Sequence, residues 1–260
     1  METVAFTVFI AFVAGIGAGL GTGLAGMSAA VVVSPMLITF LGVDPYIAIG
    51  VALASDVLAS AVSAYTYGKN KHLDIKNGMA MMIPVLIFTL LGSILSSYVP
   101  PVAMGNMSLY ATVIMGLKFL IAPVNTKESK MQNLTAKERL IRSLITGTAI
   151  GLVCGFIGAG GGIMMLMILT LVLGYELKTA VGTSVFIMAF TALTGAVSHF
   201  VIGGMPDMLT LIVAVLSTLL WARLAALFAN KASTKTLNRT MGCLLTVMGI
   251  GMIAFNFFMG

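Results

Sequence analysis

The sequence predicts an all-α polytopic membrane protein made of two inverted repeats, each a broken helical hairpin followed by three transmembrane helices. Three observations predict it: composition, the lengths of the apolar blocks, and the placement of the basic residues. Of 260 residues, 59% are hydrophobic and only 8% charged, whereas a soluble domain carries about 25% charged residues to cover its surface. No Lys or Arg precedes Lys69, and residues 77–117 carry no charge at all. Each membrane-crossing helix needs about 20 mostly apolar residues, and this chain holds enough for several.

Eight apolar blocks follow in order: 4–41, 45–67, 77–98, 105–124, 140–173, 178–202, 206–229 and 240–259. Six have the length of one crossing. The first and fifth, at about 38 and 34 residues, would run roughly 50–57 Å as straight helices, against a hydrocarbon core of about 30 Å. Tilt does not absorb that excess. Glycines interrupt both near the middle: Gly21, Gly23 and Gly26 in one, Gly155, Gly158 and Gly160 to Gly162 in the other. Each long block is therefore expected to be a hairpin that returns to its starting side.

Charge placement selects between topologies, because cytoplasmic loops carry the Lys and Arg excess. If all eight blocks crossed once, the loop of Lys69, Lys71 and Lys76 would lie opposite Lys178, Lys231, Lys235 and Arg239. With two hairpins every basic loop falls on one side, and both termini are expected outside. Lys118 and Arg223, inside apolar blocks, lie near helix ends where long side chains snorkel. The halves this defines are a first repeat at 1–124, a cytoplasmic linker at 125–139 and a second repeat at 140–260. A shift of 132 residues superposes Gly19 on Gly151, Gly23 on Gly155, Gly26 on Gly158, Gly42 on Gly174 and Gly50 on Gly182. Inverted halves with broken helices in matching places are a transporter architecture, with the ligand near the midplane between them.

The candidate binding residues lie at the two breaks. Gly158, Ala159, Gly160, Gly161 and Gly162 free backbone N–H groups and open a half-helix whose N-terminus carries partial positive charge. Such an end can hold an anion without a lysine. Gly26, Met27 and Ser28 occupy the same place in the first half. Close helix packing explains glycines equally well on their own; the matched bends favour a site. Thr183 and Ser184 are expected level with the bends, where their hydroxyls either donate to an anion or bond back to their own helix. Asp56 is the acid deep within a span, and a carboxyl there marks an ion path or proton relay. Its counterpart is Met188, so the halves are unequal. His199, at the outer end of the sixth block, is the weaker candidate for ion coupling, and an interfacial residue on the simpler reading. Asp44 and Glu176 read as helix starts, and the 20 methionines as packing filler.

Composition excludes other classes. The net charge of +6 sits in short connections rather than on one face, so no nucleic-acid partner is expected. Cys154 and Cys243 fall in apolar blocks and read as reduced packing residues. The opening residues lack the basic start of a cleavable leader. No cofactor or metal is expected, since no ligand cluster or phosphate loop of standard spacing occurs.

At this point the strings Gly155-Phe-Ile-Gly-Ala-Gly-Gly-Gly-Ile163, Thr179-Ala-Val-Gly-Thr-Ser184 and Ser198-His-Phe-Val-Ile-Gly203 resemble the signature of the TauE/SafE permeases. The likeness covers nearly the whole chain. It implies a permease for sulfite, organosulfonates or related sulfur-containing anions in a bacterial inner membrane. The first half departs from the pattern, with Gly26-Met-Ser-Ala-Ala30 and Gly50-Val-Ala52 where the family often has a glycine run and a Thr-Ser pair.

The expectation is thus a secondary transporter working by alternating access, with export the favoured direction. Its partners are the lipid bilayer and a small anion, with a homodimer left open. An anion channel is the alternative. An intramembrane enzyme is disfavoured, because His199 should lie at a different depth from Ser28 and Ser184.

Overall fold

The structure is a computed structural model, describing residues 2–96, 110, 113–124, 134–157 and 161–259. Among these residues every regular element is a helix, with no strand. Helix α1 spans Glu2–Ala25, a 3-10 turn covers Ala29–Val31, and α2 spans Val33–Leu41. Then come α3 at Pro45–Lys69, α4 at Ile75–Ser96 and α5 at 113–121. The rest is α6 at Ala136–Ile157, α7 at Gly161–Met167 passing into a π turn at Ile168–Val172, α8 at Leu177–Gly203, α9 at Met208–Lys231 and α10 at Thr234–Met259. The expected break in the first long block is there, at Gly26–Ser28; the one expected in the second falls on residues outside those described. The 99–106 turn, most of the linker and residues 158–160 lie outside the described residues.

Among the described residues four helices are long and apolar enough to cross a membrane: Val4–Ala25, Ile47–Lys69, Leu177–Val201 and Met208–Lys231. Ala29–Leu41, Ile75–Leu91 and Gly162–Val172 are shorter apolar segments. This is a multi-pass membrane protein. Its outward faces carry the large side chains, such as Phe6, Phe9 and Phe12 on α1 and Ile83, Ile87 and Leu90 on α4. Its interior mixes larger side chains such as Tyr67, Phe119, Met27 and Leu37 with many Ala, Ser and Thr, small residues that let helices in lipid approach closely. Cys243 faces outward on α10, so it does not pack the interior as expected.

Glycine decides two of the main helix contacts. On α1, Gly15 stands against Ser217 and Thr218, Gly19 against Thr218 and Ala222, and Gly23 against Ala222 and Ala225 of α9. On α6, Gly147 stands against Met81 and Pro84, and Gly151 against Val85 and Phe88 of α4. In all five places a Cβ would come within 3.0 Å of its neighbour. Pro84 sits inside α4 rather than ending it, with its ring on the Gly147 face.

The chain reverses at Gly26, whose φ of +62° is the left-handed conformation glycine adopts without penalty. Gly26 donates its N–H to Thr22 O at 2.9 Å and Met27 donates to Gly21 O at 3.2 Å. Past the bend a Cβ on Gly17 would lie 3.2 Å from Val32, so the returning segment runs back along α1. The returning segments of both hairpins end alike. Gly42 at φ +61° and Gly174 at φ +64° are followed by Val43 N–H to Leu37 O at 3.3 Å and Tyr175 N–H to Leu169 O at 2.9 Å. Next come Ala48 N–H to Asp44 O and Ala180 N–H to Glu176 O, both at 2.8 Å. Each pair is offset by 132 residues (174 − 42, 169 − 37, 180 − 48). The acids differ: Asp44 Oδ1 also accepts from Ile47 N–H at 3.3 Å, whereas the Glu176 side chain makes no cap bond.

The contacts of α3 with α8 recur with the same offset. Gly50 abuts His199 and Phe200, and Gly182 abuts Tyr67 and the His72 carbonyl. At the far end of α3, a polar knot joins several elements. The His72 Nδ1 lies 2.8 Å from Asn230 Oδ1, and Lys178 donates to Asn230 O at 2.9 Å. Asp74 accepts from Asn77 Nδ2 at 2.6 Å and from the Tyr175 hydroxyl at 3.0 Å. The α3–α4 loop, the start of α8 and the end of α9 thus share one end of the bundle, together with Lys69, Lys71, Lys178 and Lys231.

Candidate functional site

The start of α7 touches the bend at Gly26. A Cβ on Gly162, in the first turn of α7, would collide with Gly26 O and come 3.0 Å from both Ser28 N and the Met188 sulfur. A Cβ on Gly26 would collide with the Ser184 hydroxyl. So Gly26, Met27, Ser28, Gly162, Ser184 and Met188 form one cluster, and glycine at 26 and 162 is what lets α7 meet the bend. Met27 is fully buried, Ser28 is 6% exposed and Ser184 0%.

Asp56 belongs to this cluster. It lies about 17 Å along α3 from Pro45, at 1.5 Å per residue, near the middle of that helix. Ser28 donates its hydroxyl to Asp56 Oδ2 at 2.6 Å. The Thr22 hydroxyl donates to Met27 O at 2.8 Å and stands 3.4 Å from Asp56 Oδ1. Ser28 Oγ also accepts the Ala30 N–H at 3.3 Å, capping the 3-10 turn that opens the returning half-helix. The partial positive charge of that end therefore faces a carboxyl supplied by the chain itself. Asp56, Thr22 and Ser184 are all fully buried.

The neighbouring hydroxyls part company. Ser184 meets the bend and bonds back to Val181 O at 2.8 Å. Thr183, one residue earlier, accepts the Asp74 N–H at 3.2 Å and so joins the polar knot instead. Consecutive helical residues point about 100° apart, so only one of the pair can face the bends. His199 is half-buried, its Cβ against Gly50, two turns of α3 away from Asp56. Gly161 opens α7; Gly158, Ala159 and Gly160 lie outside the described residues. Among the described residues no group of three or more His, Cys, Asp or Glu could hold a metal ion.

Sequence reasoning missed the α3 residues below Asp56. Ser60, Ser63 and Tyr67 are each fully buried, and Tyr67 donates its hydroxyl to Gly23 O at 3.0 Å. The signal was present: 56, 60, 63 and 67 are spaced to line one helix face.

A helical membrane protein whose broken hairpins meet at a buried polar centre has the build of a transporter. The chain belongs to the TauE/SafE sulfite exporter family, whose model matches residues 11–252. It is 28% identical over 257 residues to the probable membrane transporter protein YunE of Bacillus subtilis, with 90% of each chain covered. It is 23% identical to the probable membrane transporter protein YdhB of the same organism, over 82% of this chain and 86% of that one. A probable membrane transporter protein of Haemophilus influenzae is 25% identical, over 92% and 91%. The chain is thus a membrane transporter of this family and not an enzyme.

Proposed function

We propose that the protein is a secondary carrier moving a small sulfur-containing anion, sulfite or an organosulfonate, by alternating access, with export its natural direction. The observation that carries this reading is the contact of α7 at Gly162 with the bend at Gly26, beside Ser184. An anion entering there separates the bends, meeting the backbone donors of residues 158–162 and the Ser184 hydroxyl. The polypeptide bonds already satisfy the first bend with Asp56, so the second bend takes the larger share of the substrate. Thr183 is assigned to the end knot rather than to the anion.

Rocking of two inverted halves, 1–124 and 140–260, exchanges the open side. The paired bonds at Gly42 and Gly174, and the reciprocal contacts Gly50 with His199 and Gly182 with Tyr67, support such a relation. The basic knot around Lys178 and Asn230 is the cytoplasmic end on this reading, by the positive-inside rule. Export of an anion gains about 2.3 kcal/mol per charge per 100 mV from an inside-negative potential, so it needs no coupled ion. Accumulation against that potential needs a cation, and Asp56 is the group placed to carry a proton beside the substrate. When Asp56 is neutral, its negative charge no longer opposes the anion.

The test is flux in proteoliposomes with sulfite, thiosulfate, sulfonates, sulfate and carboxylates, together with thermal shifts of the purified protein. Saturable flux of the sulfur anions is expected. Flux that rises without saturation makes the protein a channel, and stabilisation by carboxylates alone removes the sulfur assignment.

A further inference from the structure

We infer that the buried face of α3 between Asp56 and Tyr67 is a path for water and protons, running from the bend at Gly26 to the Lys69 end of the bundle. This rests on the reading of Asp56 as a proton carrier and names the route its proton takes.

Two hydroxyls on this face are orphaned. Ser60 Oγ and Ser63 Oγ are fully buried and have no hydrogen-bond partner. Neighbouring hydroxyls close onto their own helix, Ser55 onto Val51 O at 2.9 Å and Thr66 onto Val62 O at 2.7 Å. Ser60 and Ser63 do not, although that bond is open to any helical serine. Ser143 and Thr246, on α6 and α10, are also without a partner, but only Ser60 and Ser63 share a face with Asp56. A buried hydroxyl left unpaired is costly, and alanine, which occupies the adjacent positions 59, 61 and 64, would avoid the cost. The two hydroxyls share a stripe with Asp56 and Tyr67 at the i, i+4, i+7, i+11 spacing. Water is the chemical match for such hydroxyls, since it both donates and accepts.

The lower end is tied off in this conformation. Tyr67 gives its hydroxyl to Gly23 O at 3.0 Å, and Gly182 brings α8 against Tyr67 and the His72 carbonyl. Release of that bond opens the stripe to solution. A proton then leaves the Asp56 carboxyl for a water held by Ser60. The excess proton passes to a water held by Ser63 and out to solution, and each hydroxyl keeps the proton it began with.

The charged groups around the stripe leave it to Asp56. On α3 itself Tyr65 is exposed and Lys69 lies at the end. The 3-10 turn and α2 carry no charge, and α1 carries only Glu2, in its first turn. On α8, Lys178 is committed to Asn230 O and His199 stands at Gly50, on the other side of Asp56. On α9, Arg223 and Lys231 are exposed.

The test uses the full chain with Cys154 and Cys243 replaced, in membrane vesicles. Ser60→Cys, Ser63→Cys and, as a lipid-facing control, Leu58→Cys are each treated with a small hydrophilic methanethiosulfonate from the Lys69 side. The 60 and 63 variants should react at least tenfold faster than the control, and faster still with Tyr67→Phe added. Reaction no faster than Leu58→Cys, with or without Tyr67→Phe, overturns the path. Asp56→Asn is run beside them for proton movement driven by a sulfite gradient. Normal proton movement in Asp56→Asn overturns the proton-carrier reading; reactive positions 60 and 63 would then mark water without protons.

Discussion

Ser28 donates its hydroxyl to Asp56 across 2.6 Å, so the bend of the first hairpin is tied to the middle of α3 by a buried acid. Loss of the carboxylate's charge cycle should separate binding from coupling. Asp56→Asn keeps shape and hydrogen-bonding capacity. The variant is expected to exchange sulfite across vesicles at the wild-type rate and to lose accumulation driven by a pH gradient. Accumulation equal to wild type would leave Asp56 a structural residue.

Ser28→Ala probes the same bond from the other partner. The buried carboxyl loses its short donor, and the 3-10 turn loses its cap. Removing one side of such a pair costs about 1–3 kcal/mol, which thermal unfolding in detergent should register as a lowered midpoint. No change would mean that Thr22 and the backbone suffice.

Gly162→Ala tests the contact of α7 with the bend at Gly26. The new methyl has Gly26 O in its way, a backbone atom with little freedom to yield. Overpacking of this kind costs about 1–3 kcal/mol. Transport should fall more steeply than stability, because the bends must close together in each cycle. Gly251→Ala, where nothing lies within 4 Å, is the matched control and should behave as wild type.

Ser184→Ala and Thr183→Val separate the neighbouring hydroxyls. The first should weaken sulfite binding by about 1–3 kcal/mol if the anion loses a buried donor. The second should leave affinity unchanged while loosening the knot at Asp74. The reverse pattern would move the site one helical position, toward the α3–α4 loop.

At the opposite end of the bundle Asp207 caps α9, accepting the Thr210 N–H and hydroxyl, both at 2.8 Å. Those bonds hold its carboxyl below the usual range. A lowered folded value means that the cap stabilises above the ordinary carboxylate range and is lost as pH falls through the folded value. Asp207→Ala should therefore cost about 1 kcal/mol at neutral pH. The gap from wild type should shrink below about pH 4, as followed by thermal unfolding across pH.

Much of the fold was legible because membranes impose few solutions. Block length set against bilayer thickness pointed to the break at Gly26, and the glycine register pointed to equivalent turns at Gly42 and Gly174. The site was legible only in part. That Asp56 faces Ser28 depends on the direction a φ of +62° at Gly26 gives the next two residues, which no spacing reveals. Which of Thr183 and Ser184 turns inward depends on the rotation of α8. The pairing of His72 with Asn230 joins residues 158 apart in sequence and leaves no local trace.

The exchange of partners between halves has a consequence for how the chain is made. Helix α1 lies against α9, where Ser217 donates to Phe12 O across 205 residues of sequence, and α4 lies against α6. Neither half holds the surface its own first or third helix was shaped for. During synthesis α1 enters the bilayer with its glycine face open to lipid and waits for α9 to be inserted. Contacts this distant in sequence form late. A chain cut within 125–133 should regain its structure when both pieces are made together, whereas either piece alone stays an unfinished bundle with an exposed seam.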